Sequence, residues 1–294
     1  MFIACLLPLL GLSSCGRRRP IARGPHASRP PLLTARKTDL VRQVAAFYDS
    51  IHSLKIVADL TLSRGSVYKG EIVDHSDFKG FIDFRKPGDI RVVTLLPLVR
   101  TMAFEMVSDG GRFRAYLKNQ NRFIEGEDDA PATSPNPIEN MRPKTFLSAL
   151  LVKPLDSAGD FTVLQDDTNE QYSHYILQGM RKLPNNDFEL LRTVTFDRVD
   201  LRIIEQREYA PDSSIVSLTK YDLWKDYSGI NFPSQIGIMR YLEEYGATLD
   251  ISQLEINKTV PDSDFVLERP AGSTLEIIGG DTSNRNSGIV MDRH

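Results

Sequence analysis

Phe78-Lys79-Gly80-Phe81-Ile82-Asp83-Phe84, Arg85-Lys86-Pro87-Gly88-Asp89, Ile90-Arg91-Val92-Val93-Thr94-Leu95-Leu96: these three consecutive pieces decide the fold. The outer two are rich in β-branched and aromatic residues and are bounded by turn formers, which predicts strands. The middle piece holds Pro87-Gly88, a turn signal. A connection that short cannot contain a crossover helix, so the two strands are antiparallel neighbours. The pattern extends in both directions. Upstream, residues 56–63 alternate, with Ile56, Ala58, Leu60 and Leu62 on one face and a mostly polar set on the other. Downstream, residues 102–108 and 112–118 flank Asp109-Gly110-Gly111, a hairpin signal, and Asn119-Gln120-Asn121 makes a further turn.

An acidic, Pro-rich loop over 127–137 interrupts this run. Strands resume at 172–178, 188–196, 201–209, 215–224, 235–241 and 248–256, which gives about eleven in all. Their period of two and their short connections predict an antiparallel meander rather than βαβ units. Two helices are expected. The first opens with Thr38 or Asp39 as N-cap and carries an apolar stripe of Leu40, Val44, Phe47 and Ile51. The second covers 143–152, with Phe146, Leu147, Leu150 and Leu151 on its apolar side. A long twisted sheet curls, and amphipathic helices need an apolar surface to lie on. The predicted class is therefore α+β: a curled antiparallel half-barrel whose helices cover the concave face.

The two ends read differently. Residues 2–12 are apolar and are followed by Leu12-Ser13-Ser14-Cys15-Gly16. A membrane-spanning helix needs roughly twenty apolar residues, so this run is a secretory h-region. The small residues before Cys15 resemble a bacterial lipoprotein signal, although no Lys or Arg precedes the run. Residues 1–14 are then a signal peptide, Cys15 is lipidated, and 15–37 is a flexible tether rich in Pro, Arg, Gly and Ser. Arg17, Arg18 and Arg19 beside the anchor either meet anionic headgroups or simply begin a solvated linker. The folded domain spans 38–272, and 273–294 is a largely disordered tail. With Cys5 removed in the signal, the mature chain holds a single Cys and no internal disulfide. The formal charge of −3 carries no basic surplus to suggest a nucleic-acid partner.

A search for catalytic chemistry finds no nucleophile elbow, phosphate-binding Gly-rich loop, His-Glu-x-x-His or Cys-x-x-Cys in this chain. His174, alone in a strand, reads as a satisfied residue rather than a base. Glu125, Glu127, Asp128 and Asp129 lack the spacing of a calcium loop and read as solvated. No metal, cofactor or enzymatic activity is expected. Leu95-Leu96-Pro97-Leu98-Val99 is more suggestive, because Pro97 ends a strand where leucines cluster. Leu95, Leu96 and Leu98 either contact lipid or a partner, or fold inward to cap the sheet.

The course from Gly80-Phe81-Ile82-Asp83-Phe84 through Leu96-Pro97-Leu98 to Ser108-Asp109-Gly110 resembles the LolA/LolB/RseB-like superfamily of periplasmic lipoprotein carriers, closest in layout to its LolB branch. Gly229-Ile230-Asn231-Phe232-Pro233, Leu254-Glu255-Ile256-Asn257-Lys258 and Pro261-Asp262-Ser263-Asp264-Phe265 look like its closing strands. The resemblance implies a half-barrel around an apolar cavity that holds acyl chains. It makes Leu60, Leu62, Ile82, Phe84, Val92, Met102, Phe104 and Met106 the expected cavity lining. It also places Leu98 where the LolB branch carries an exposed, lipid-contacting Leu, although Val99 stands here where that branch has Gly. The function implied is a lipid-anchored, chaperone-like protein that accepts or localises lipoproteins, with a periplasmic carrier as partner. It would sit at the periplasmic face of the outer membrane, since Gly16 is not the Asp associated with inner-membrane retention. The alternative is an envelope sensor or scaffold that binds protein partners without lipid transfer.

Overall fold

The computed structural model describes residues 30–66, 71–96, 98–128, 130, 141–155 and 160–279. Its first element is helix α1 (Lys37–Ser50). Six strands follow as a meander: β1 (Ser53–Ser66), β2 (Glu71–Arg85), β3 (Asp89–Leu95), β4 (Met102–Ser108), β5 (Arg112–Leu117) and β6 (Arg122–Glu127). Helix α2 (Pro143–Leu150) separates these from a second meander. That run is β7 (Asp160–Thr168), β8 (Ser173–Lys182), β9 (Phe188–Asp197), β10 (Ile203–Tyr209), β11 (Ile215–Tyr227), β12 (Ile230–Arg240) and β13 (Tyr245–Ile256). A last strand, β14 (Thr274–Ile278), follows a 3-10 turn at Asp262–Phe265.

All the strands join one sheet, in the order β14-β6-β5-β4-β3-β2-β1-β13-β12-β11-β10-β9-β8-β7. The two meanders therefore meet at β1 and β13, which pair from Leu54↔Ile256 to Arg64↔Tyr245. The period of two decides which face is buried. In β1, Leu54, Ile56, Ala58, Leu60 and Leu62 point inward, and Phe232, Ile236 and Ile238 of β12 do the same. One continuous core unites these with Leu40 and Val44 of α1, its C-cap Ile51, and Phe146, Ala149 and Leu150 of α2. The expected stripe of α1 is thus the face it buries. Its remaining member, Phe47, meets the rings of Trp224 at 5.8 Å and Phe232 at 6.1 Å.

The sequence reading needs four corrections. The N-cap of α1 is Arg36, and Asp39 sits at N3, where its carboxylate accepts from the Arg36 backbone N–H at 3.3 Å. There are fourteen strands among the described residues rather than about eleven, because β6, β7 and β14 were not foreseen. The tail assigned to 273–294 gives up Thr274–Ile278 to β14. That strand also breaks the all-antiparallel expectation, since it runs parallel to β6 from Thr274↔Arg122 to Ile278↔Gly126.

The path to β14 explains the parallel pairing. After β13 the chain crosses the outer face of the first meander as a strap. Asn257 turns it there in the left-handed region, at φ 60°. Its side-chain oxygen accepts from His52 N–H at 2.6 Å, and its amide donates to the Ser50 carbonyl at 2.8 Å. Farther along, Arg85 holds Asp262 at 2.6 Å and lies 4.9 Å from the Phe265 ring centroid, while Lys55 holds Asp264 at 3.3 Å. Leu267 then packs on Val107, Phe123 and Tyr116, outside the main core. Replacing Asn257 by Ala removes the side-chain bonds and keeps a conformation that costs a Cβ-bearing residue about 1–2 kcal/mol unless Asn or Gly occupies it. Net hydrogen-bond losses add about 1 kcal/mol each. The expected result is a loss of about 3 kcal/mol, seen as a lower urea midpoint with an unchanged slope.

Candidate functional site

The concave face is not packed solid throughout. Under the end of the first meander lies a cavity of about 280 Å³ with mostly apolar walls. Leu62 of β1, Phe78 of β2 and Phe104 of β4 form one side. Phe113, Ala115 and Leu117 of β5, Ile124 of β6 and Met141 just before α2 form the other. A bulge shapes the wall between β3 and β4. Thr94 pairs with Phe104 and Leu95 with Met102, so Ala103 has no opposite number. Such an insertion re-aims side chains, and Ala103 and Phe104 both face the cavity.

The eight residues expected to line a cavity divide. Leu62 and Phe104 line it. Leu60, Ile82, Phe84, Val92 and Met106 are buried in the continuous core instead and do not border the void. Over this part of the face the apolar sides of α1 and α2 seat directly on the sheet, so side chains touch one another rather than an empty space. Met102 is half-buried beside the bulge and is not a cavity wall. Phe78, Phe113, Leu117, Ile124 and Met141 were missed as walls. The alternation Arg112-Phe113-Arg114-Ala115 is the signal for the inward face of β5, but it blurs at Tyr116-Leu117, where both side chains are large and largely apolar.

The three leucines after β3 also separate. Leu95 is half-buried in the ladder, opposite Lys79 and Met102. Leu96 borders the cavity. Leu98, two positions on, is 97% exposed, and Val99 beside it is 65% exposed. The loop is held shut at its base. Arg100 N–H donates to the Leu96 carbonyl at 2.9 Å, and Leu96 N–H donates to the Thr101 carbonyl at 2.9 Å. The closed base points Leu98 outward while Leu96 faces in. Pro97 and the proposed lipidation site, Cys15, lie outside the described residues.

The other singled-out groups have partners within the fold. His174 stacks on Tyr172 at 5.0 Å between ring centroids. Glu125 pairs with Arg114 at 3.3 Å, and Asp128 accepts from the Ser108 hydroxyl at 2.6 Å. No cluster of three or more metal-ligating side chains occurs among the described residues. Close to the cavity stands Arg142, the N-cap of α2, with its guanidinium 5.4 Å from the Phe113 ring centroid. Burial pulls this guanidinium and that of Arg192 below the usual arginine range.

No protein-family model matches this chain, and no curated protein matches it by sequence. Solved structures do match. A DUF1329 family protein from Desulfovibrio piger is 16% identical, with a TM-score of 0.51 over 78% of this chain and 95% of its own. That likeness is one of fold, the open curled sheet with helices inside. A LolA superfamily protein from Nitrosomonas europaea is 10% identical, with a TM-score of 0.49 over 77% of this chain and 97% of that one. A domain assigned to outer membrane lipoprotein sorting, from Vibrio parahaemolyticus, is 10% identical, with a TM-score of 0.47 over 77% and 94%.

Proposed function

We propose that this chain is a lipid-anchored envelope protein that takes an acyl chain into the cavity beneath β4–β6 and uses the Leu98 loop to meet the membrane or cargo that supplies it. One observation carries the reading: Leu96 borders an apolar cavity while Leu98, in the same short loop, is 97% exposed. An exposed leucine is ordinary. An exposed Leu-Val pair on a closed loop, next to an apolar cavity, is suited to deliver a chain from lipid to interior. The mechanism is passive. Each methylene moved out of water gains about 0.8 kcal/mol, and exchange between two apolar sites requires no bond to be made or broken, so no catalytic residue is invoked.

Cavity size refines the reading. Ligand pockets run from roughly 300 to 1,000 Å³, and this one, at about 280 Å³, is at the small end. It suits one chain, or part of one, better than the several chains of a whole lipoprotein anchor. Accepting or localising lipoproteins at the outer membrane is the finer form of the proposal, supported by the lipoprotein-type signal at Cys15. Among the described residues no helix is long and apolar enough to cross a bilayer; attachment through acyl chains on Cys15 rests on the signal-like run before it.

Leu98→Glu tests the loop. A substitution at so exposed a position changes stability by no more than about 0.5 kcal/mol, so the melting temperature stays within about 2 °C. Seating a Leu in lipid gains about 1.5–3 kcal/mol. Transfer of a fluorescent acyl chain to vesicles is therefore expected to slow at least about tenfold. Unaltered transfer would remove the loop from the mechanism. A stable protein partner bound with the cavity empty would favour a scaffold.

A further inference from the structure

On the far side of Arg142 from the apolar cavity lies a polar cleft of about 420 Å³. It shares Asp128, Lys144, Ser148, Arg192 and Glu208 with a second recess of about 270 Å³. Arg142 borders both the cleft and the apolar cavity. Its guanidinium lies against Phe113 on one side and donates to the carbonyl of Ala130, a cleft residue, at 3.4 Å on the other.

Positive charge prevails in this cleft. Arg142, Lys144, Arg192 and Arg240 line it, and Lys153 lines the adjoining recess. The opposing acids are Asp128, Glu208 and Glu243. Two of these are engaged: Glu243 with Arg240 at 3.1 Å, and Asp128 with the Ser108 hydroxyl at 2.6 Å. Lys144 and Arg192 have no carboxylate within salt-bridge distance among the described residues, and Arg192 donates to the Pro154 carbonyl. Burying the Arg192 guanidinium is costly; Glu208, opposite it in the ladder, offsets part of that cost, and an anion entering the cleft offsets more.

A second observation is independent of charge. Gln206 is 2% exposed and lines the recess. Its amide donates to the Ser148 carbonyl at 3.1 Å, while its Oε1 is buried with no hydrogen-bond partner among the described residues. Buried polar atoms are almost always paired, and because Gln206 borders the recess, a ligand hydroxyl that reaches this acceptor would satisfy it. The recess is also kept clear by two glycines from neighbouring hairpins. A Cβ on Gly88 would stand 2.8 Å from Gly110 Cα, so neither tip can carry a side chain there without moving the other.

We infer that the cleft holds the phosphate head of a single-chain anionic lipid whose acyl chain occupies the apolar cavity, with Arg142 and Arg192 at the phosphate and Gln206 at a head-group hydroxyl. This rests on the reading of the cavity as a chain site and adds the head that accompanies the chain. Passing Arg142, such a molecule moves from apolar to cationic surroundings at the point where its own chemistry changes.

The test uses the full-length chain carrying Cys15→Ala, which removes the acyl anchor, and calorimetric titration at low salt. The probes are lysophosphatidylglycerol, lysophosphatidylcholine with the same chain, and glycerol phosphate. The expected result is that lysophosphatidylglycerol binds at least about tenfold tighter than lysophosphatidylcholine, as a charge-assisted contact provides, and that glycerol phosphate binds far more weakly. The exposed Lys144→Gln change should narrow the preference without altering lysophosphatidylcholine binding. Arg192→Lys, which keeps the charge but not the forked geometry, should weaken lysophosphatidylglycerol alone. Equal affinity for the two lipids would overturn the head-group site and leave the chain cavity standing. Glycerol phosphate binding as tightly as lysophosphatidylglycerol would make this a free-anion site and overturn the lipid assignment. Binding of neither lipid would overturn the chain cavity itself.

Discussion

Phe104→Asp should abolish acyl-chain binding at micromolar lipid while leaving a folded protein. The ring is partly buried and forms one wall of the apolar cavity. A carboxylate there keeps its water, and a chain of fixed length then loses three or four methylenes of burial. At about 0.8 kcal/mol each this is about 3 kcal/mol, or about a hundredfold in affinity. The fold loses less, because the cavity lets water reach the new group. Phe84→Ala is the matched contrast. Phe84 is wholly buried in the core away from the cavity, and such truncations cost about 3–5 kcal/mol. Fluorescent-lipid titration beside urea denaturation separates the two. Equal losses of stability would show that Phe104 is core and that the void beside it holds nothing.

Cys15→Ala is expected to move the protein wholly from the membrane to the soluble fraction and to abolish labelling by a fatty-acid analogue. Stable anchoring takes two lipid signals, with about 0.8 kcal/mol gained per buried methylene. The exposed Leu98 and Val99 supply a few kcal/mol at most, enough for a transient touch and not for residence. Retained labelling would refute lipidation at this position.

Much of the fold was legible because burial follows simple periods. Alternation over 56–63 named the inward face of β1 correctly, and the stripe of α1 was read residue by residue. The three strands that escaped share a physical character. They lie at or next to the sheet's edges and are held by charge across the ladder. Arg114 faces Glu125, Arg122 pairs with Glu276, and Arg181 holds Asp160 at 3.2 Å. An acidic or basic run looks like solvated loop until its partner strand is known. The cavity was legible only as a face. Which residues of that face touch a helix and which border a void depends on where α2 sits, and no local pattern encodes that. The charged cleft was invisible for the same reason. Arg192 and Gln206 are brought together by the β9–β10 hairpin, but Arg142 is about fifty residues from either in the chain, and they line adjoining recesses only once α2 is seated against the sheet.

The strap has a consequence for the order in which this molecule comes into being. Every strand from β1 to β13 is made before residue 257, yet the partner of β6 is β14, made after it. During synthesis β6 therefore presents an unpaired edge for as long as the strap is missing. A row of free N–H and C=O groups is a template for any passing extended segment. Its outer-face neighbours Val107 and Phe123 wait uncovered for Leu267 over the same interval. The final twenty-odd residues of the domain thus behave as a built-in chaperone strand, and a chain that stalls before making them carries a sticky edge that the finished protein never shows.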